Sequence, residues 1–283
     1  MMLWFFLSLL SALSKSGERF AHRNVMMKGD SFAYSFVYSM IGALLFLPLA
    51  LYDFHVPVSF EAWLLVIFGT VMFTLLTIIS FESYKHSELS VREPITSIRL
   101  IIVFLMAVVF LSEKITTGKI IGTLIITAAI AAMTFENGRL PGLRDKGVLL
   151  TIISSIMLGI VSVVEKMSLN YFTPIEFGFL MFLLPGLATV LFLKGKKSDV
   201  KALASKNNLK FVLLAGVLCS IGYGARLWAY SITDLSLAYP VVSLSTILTP
   251  VLGVWLLHER KNIRKKAIGV ALAFAGTIVI SLL

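Results

Sequence analysis

The chain has one cysteine, Cys219, in 283 residues. A lone thiol excludes an internal disulfide and any cysteine-based metal cluster. Charge is scarce as well: 14% of residues are Asp, Glu, Lys or Arg, 58% are apolar, and the mean hydropathy is +0.93. A soluble domain of this length cannot hide that much apolar surface, so lipid has to be the solvent for most of it. Acids are scarcer than bases, 15 against 25 Lys and Arg, for a formal charge of +10. The bases are scattered over links between apolar stretches, which suits anionic lipid headgroups and not nucleic acid. The four histidines (His22, His55, His86 and His258) do not cluster, and no Cys–His or carboxylate–His spacing suits a metal. No phosphate-cradling Gly loop, ATP-binding motif or nucleophile elbow occurs. No cofactor is expected, and a membrane-embedded enzyme or a scaffold is left as a remote alternative.

What the chain does have is apolar length. Ten runs stand out, at 2–22, 31–52, 62–84, 90–111, 118–135, 147–165, 175–193, 211–231, 235–257 and 265–283. Each is long enough to approach the roughly 30 Å of a hydrocarbon core at about 1.5 Å per residue. The fold expected is an all-α integral membrane protein, a single transporter-like domain over 1–283. The links leave no room for a soluble domain, and the longest, Lys194 to Lys210, reads as a polar Lys-rich bridge.

The first run lacks the basic lead and small-residue cleavage site of a secretory signal. Residues 2–14 alone are too short to span, so the helix is expected to continue through "SKSGERFAH". Ser8, Ser11, Lys15, Glu18 and His22 then recur at spacings of three and four and share one helical face. Such a face cannot look at lipid and is expected to look inward.

The second half repeats the first. Residues 84–119 ("YKHSELSVREPITSIRLIIVFLMAVVFLSEKITTGK") align without a gap on 230–265 ("YSITDLSLAYPVVSLSTILTPVLGVWLLHERKNIRK"). Tyr84 meets Tyr230, Ser90 meets Ser236, Pro94 meets Pro240, Glu113 meets Glu259 and Lys119 meets Lys265. Shared hydrophobicity does not produce those polar and proline coincidences. One residue further out of phase, Glu18-Arg19 matches Glu165-Lys166, so the charged end of the first run is a repeated feature. The units run 1–138 and 146–283, joined by the turn-rich "ENGRLPGLRDKG". Five spans per unit is an odd number, so the second unit is expected to enter the membrane inverted, an arrangement that places a site near the midplane.

With these repeats, and with "LSEKIT" and "LLHERKN" closing the fourth apolar run of each, the chain resembles the EamA-type branch of the drug/metabolite transporter superfamily over its whole length. "DLSLAYPVVSLSTILTPVLGVWLLHER" is especially similar, while Phe104 stands in the first repeat where Pro250 stands in the second. The resemblance implies a secondary carrier that exports a small polar metabolite, such as an amino acid, through a central cavity lined by spans one, three, four, six, eight and nine. A flippase for a lipid-linked substrate is the alternative. Protons as coupling ion and a homodimer both stay open. A cell-membrane protein is expected, but its orientation is not agreed. The resemblance implies cytoplasmic termini. The Lys and Arg tally, 20 in odd-numbered links against 3 in even ones, places both termini outside.

Candidate site residues are the ionisable and aromatic groups within apolar runs, where a charge at a helix centre costs about 2.5–3.5 kcal/mol. Arg226, with Tyr223 and Tyr230 at i−3 and i+4, suits a substrate carboxylate or phosphate, or else an ion pair with an intramembrane Glu. Glu82 suits proton exchange or pairing with Arg226 or Arg99. Glu93 and Arg99 flank Pro94, which frees a backbone carbonyl; Pro240 and Pro250 are the other expected helix breaks. Tyr239, Ser243, Thr246 and Pro250 share a face, as do Thr70, Thr74, Thr77 and Tyr84. Tyr239 and Tyr84 read as cavity walls and most of the threonines as packing. Trp228 reads as either a cavity wall or an interface anchor. Glu18 and Glu165 offer one carboxylate per repeat, for coupling or for local pairs with Arg19 and Lys166. Glu113 and Glu259 read as loop-fixing groups.

Overall fold

A computed structural model of the chain describes residues 2–26, 30–52, 54–86, 95–96, 98–134, 145–249 and 263–282. Among the described residues all regular structure is helical. The first half contains α1 (Leu3–Met26), α2 (Ser31–Tyr52), α3 (Phe60–His86), α4 (Ile98–Leu111) and α5 (Thr117–Thr134). The second contains α6 (Lys146–Ser168), α7 (Pro174–Val190), the short α8 (Lys197–Leu203), α9 (Lys206–Ile232), α10 (Leu235–Val242) and α11 (Ile263–Leu282). Four helical stretches are long and apolar enough to cross a membrane on their own: Ser31–Tyr52, Phe60–Ser83, Lys146–Ser168 and Asn208–Ile232. Shorter apolar helices accompany them, including Ile98–Leu111, Pro174–Val190 and Leu235–Thr249.

Helix ends follow the local chemistry. Asp145 caps α6 by accepting from Gly147 N at 2.8 Å, and Thr173 and Glu176 form a capping box at the start of α7. Two features depart from the apolar reading. The Lys-rich bridge holds α8, because Leu203 finds a buried place in the core. The run from 235 is interrupted by a turn at Ser243–Leu244, where Leu244 N–H bonds Val241 O at 3.1 Å and not the carbonyl four residues back.

The helices pack in a pattern that is unchanged when the two halves are exchanged. α1 lies along α9, and α3 lies along α6. α4 meets α6 as α10 meets α1, and α9 meets α2 as α3 meets α7. Three further partnerships, α2 with α7, α5 with α11 and α4 with α10, map onto themselves. In the first of these Phe46 lies over Gly178 and Phe182 lies over Gly42, the same exchange made twice. In the second, Gly122 and Gly276 face each other. A Cβ on Gly122 would fall 2.7 Å from the Gly276 carbonyl oxygen, so only glycine permits this approach.

The outward faces are apolar and open, as at Leu44, Leu51, Val109 and Leu124. In water such a surface would aggregate, and in a bilayer it meets acyl chains. The links gather at two ends. At the first end, Asp30 between α1 and α2 bonds Lys196 between α7 and α8, Nζ to Oδ2 at 2.6 Å. At the second end, Tyr171 O–H donates to Glu61 at 2.8 Å and His55 N–H donates to Glu176 at 2.7 Å.

Gly122→Val should lower the melting temperature in detergent, losing about 1–3 kcal/mol from overpacking the α5–α11 crossing. Gly224→Ala, whose Cβ would meet Phe46 at an ordinary 3.4 Å, should be close to neutral. Equal effects from the two would contradict this packing. Asp30 supplies a pH test. Burial alone would raise its carboxyl, but the Lys196 ammonium and the Ala33 and Phe32 N–H groups outweigh burial and hold it below the usual carboxylate value. Its contribution is therefore present above about pH 4 and lost as pH falls through the depressed value. Asp30→Asn should cost stability at neutral pH and little near pH 3; an equal cost at both would remove the clamp from the account.

Candidate functional site

A cavity of about 140 Å3 lies between α1, α2, α3, α4, α6 and α9, and Thr96 also lines it. Its lining comes from the halves of α1 and α3 nearer the first end, so it reaches toward that end of the bundle. Basic groups on the wall are Lys15, Arg19, Arg99 and Arg226, and Phe73, Leu76, Phe81 and Leu158 supply an apolar side.

α1 contributes most of the chemistry because its polar face points inward, as the three-and-four spacing predicts. Ser8, Ser11, Glu18 and His22 on that face are all buried, and Lys15 is half-buried on the cavity wall. Glu18 Oε1 accepts from Tyr38 O–H at 2.7 Å and lies 2.9 Å from His22 Nε2. The other ring nitrogen of His22 is 2.6 Å from the Tyr34 hydroxyl, so the imidazole bridges a carboxylate and a phenol. Tyr38 also touches the Cys219 thiol across the cavity wall. Glu18 Oε2 is buried with no hydrogen-bond partner among the described residues. The Lys15 ammonium, one turn before Glu18, has neither a hydrogen bond nor an ion pair among the described residues.

The floor of the cavity is an ion pair. Arg226 Nη2 donates to Glu165 Oε1 at 2.7 Å, and both side chains are at most 3% exposed. The guanidinium carbon sits 4.7 Å from the Tyr223 ring centre and 6.0 Å from that of Tyr230, so π faces flank the charge. Higher on the wall, Arg99 donates to Thr246 Oγ1 at 3.0 Å, and both terminal nitrogens of Arg19 approach the same hydroxyl at 3.4 Å.

Of the expected site residues, Arg226, Arg99, Tyr223 and Glu18 come together on the cavity wall, with Glu165 directly behind. Tyr230 and Tyr239 are buried in an apolar cluster with Leu100 and Val163, and Ser243 is buried as well, all three off the wall itself. Trp228 is turned to the outer face of α9 and is 46% exposed. Glu82 does not pair with Arg226 or Arg99. It sits at the end of α3, where its carboxylate meets Lys85 at 3.0 Å, His86 at 3.2 Å and Ser31 at 2.8 Å, partners available within one turn. Lys166 does not pair with Glu165: it caps α9 by donating to Tyr230 O at 2.5 Å and Thr233 O at 2.9 Å. Pro240 lies within α10. Glu93, Pro94, Pro250, Glu259 and the Tyr84 side chain lie outside the described residues. On the α3 stripe Thr70 and Thr74 bond back to their own helix, and only Thr77 reaches the cavity. The charge tally placed Lys15 and Arg19 in the first link, whereas both line the cavity; the bias toward the first end survives their removal. Tyr38 and Cys219 carry no sequence signal of their own, since each acquires its role from a helix elsewhere in the chain.

The ion pair can be tested directly. Removing one member leaves the other charge buried, at about 3–5 kcal/mol. Glu165→Gln and Arg226→Met should each lower the melting temperature, and the double substitution should cost clearly less than their sum. Additive losses would mean that the two groups do not depend on each other.

No curated protein sequence matches the chain. A solved crystal structure superposes with a TM-score of 0.80, covering 99% of this chain and 96% of that one, at 14% identity. That likeness shows a shared fold and nothing finer. The family description of EamA-like transporters matches twice, over residues 2–135 and 145–282, once for each half of the packing pattern. With nearly the whole chain matched, a paired-repeat helical bundle and a charged internal cavity, the protein belongs to the EamA-like transporter family, whose members are membrane transporters of small molecules.

Proposed function

We propose that the chain is a secondary carrier that exports a small polar metabolite bearing a carboxylate, an amino acid or a related zwitterion or anion. It works by alternating access, with ten spans arranged as two inverted five-helix repeats, 1–138 and 146–283. The observation that carries this reading is Lys15, an ammonium on the wall of an internal cavity with no hydrogen bond or ion pair among the described residues. A fixed cation in a low-dielectric site is stabilised by a mobile anion, and the match is lost when the anion leaves. Arg226 is a weaker candidate for that contact, because Glu165 already occupies one edge of its guanidinium. Glu18 Oε2, buried and without a hydrogen bond among the described residues, lies one turn along α1 and suits the ammonium of a zwitterion. Phe73, Leu76 and Phe81 leave an apolar wall for the rest of the solute.

No nucleotide-binding motif occurs in the sequence, so the driving force is a gradient, either proton antiport or solute exchange. The positive-inside bias supports a cytoplasmic first end, which makes the cavity reachable from the cytoplasm.

Counterflow in proteoliposomes against a panel of amino acids, organic anions, cations and nucleotide sugars tests this. Saturable exchange of a carboxylate-bearing solute is expected. Lys15→Met should raise its half-saturating concentration by roughly 10- to 100-fold, the equivalent of one charge-assisted hydrogen bond of about 1.5–3 kcal/mol. Exchange confined to cations, or unaffected by Lys15→Met, contradicts the proposal. Folded protein that exchanges no soluble compound points to the lipid-linked flippase.

A further inference from the structure

At the second end, the Arg226–Glu165 floor is backed by polar contacts that join the two repeats. Glu113, in the link between α4 and α5, reaches across to the start of α10. Its carboxylate accepts from Leu235 N at 2.6 Å, from Ser236 N at 3.0 Å and from the Ser236 hydroxyl. Lys119, at the start of α5, donates to Asp234 Oδ2 at 2.7 Å and to its own link at Lys114 O, with Glu113 3.8 Å away. Glu113 and Lys119 are each at most 5% exposed at the side chain, whereas Asp234 is 48% exposed. The group thus runs from the buried interior to the surface, and Lys166, next to Glu165, holds the carbonyls of the same α9–α10 corner.

We propose that Glu113 and Lys119, gripping Asp234 and the N-terminus of α10, form the latch that closes the cavity at the second end. Opening that side requires breaking them. The inference rests on the carrier reading and goes beyond it, because it assigns residues to the closed gate. Three observations favour this group over the other contacts between repeats. Its partners are main-chain donors at a helix start, which lose the Glu113 carboxylate as acceptor when the helix moves. It stands behind the cavity floor, whereas the His55–Glu176 contact joins the α2–α3 link to α7 and the Tyr171–Glu61 contact joins the α6–α7 link to α3, both at the periphery. Finally, the repeat carries the same residue types in sequence at Glu88, Ser90, Glu259 and Lys265; the first three and the Lys265 side chain lie outside the described residues. A carrier that alternates needs one closing set per side, and an inverted repeat supplies a second set.

The single native thiol reports on the latch. Cys219 lines the cavity, so a small membrane-impermeant thiol reagent added to one side of sealed, oriented vesicles reads which end is open. Wild-type protein should be labelled from the first end and only slowly from the second. Glu113→Gln and Lys119→Met should each raise second-end labelling by about tenfold or more, equivalent to about 1.4 kcal/mol of lost closure. Tyr171→Phe, which removes a peripheral contact at the same end, should leave it unchanged. Each variant is checked for a monodisperse elution profile and a cooperative melt. Unchanged sidedness in both latch variants, or a wild type labelled equally from the two ends, overturns the proposal. The readout needs no substrate. Latch variants that open a protein inactive in counterflow therefore retain the latch and reject the carrier reading.

Discussion

The arrangement depends on one buried ion pair. A guanidinium inside an apolar bundle is tolerated only with a carboxylate at hydrogen-bond distance, and Glu165 supplies it to Arg226 at 2.7 Å. Because the partners come from α6 and α9, the pair fixes how those two helices of the second repeat meet. Once it is satisfied, Arg226 becomes a floor, and the electrostatic demand of the cavity passes to Lys15 on α1.

The packing that frames this pair is that of a duplicated unit. Each contact between α1 and the second repeat has a counterpart between α6 and the first. Two of the self-paired contacts do different work from the rest. α2 with α7 is tied at the first end by Asp30–Lys196 and at the second by His55–Glu176, and α5 with α11 is held by facing glycines. These are seams that can stay shut while the helices around the cavity shift. Transport by a two-repeat carrier needs such a division between fixed contacts and exchangeable ones.

Much of this was legible from the residues. The gapless match of 84–119 on 230–265 revealed the duplication, and the spacing of Ser8, Ser11, Lys15, Glu18 and His22 revealed the inward face of α1. Legibility ended where a residue's role is set by a helix far away in sequence. Arg226 and Glu165 were both visible as costly charges, but 61 positions separate them, and no periodicity says which carboxylate an arginine will meet. Glu82 illustrates the same limit: Lys85 and His86 at i+3 and i+4 were nearer partners than either arginine. Lys15 was legible on that inward face, yet the Lys and Arg tally also counted it as a link charge, because such a tally counts residues and not faces. Trp228 and Tyr230 differ by two positions, which on a helix is enough to send one to lipid and the other to the core.

The central claim is that a carboxylate-bearing solute binds in the cavity beside Lys15. The most direct measurement is protection of Cys219 from a small thiol reagent by that solute. The account predicts that labelling falls with solute concentration along the curve that describes exchange, because thiol and ammonium share one small cavity. Saturating exchange with Cys219 still labelled at its full rate would place the solute elsewhere and contradict the account.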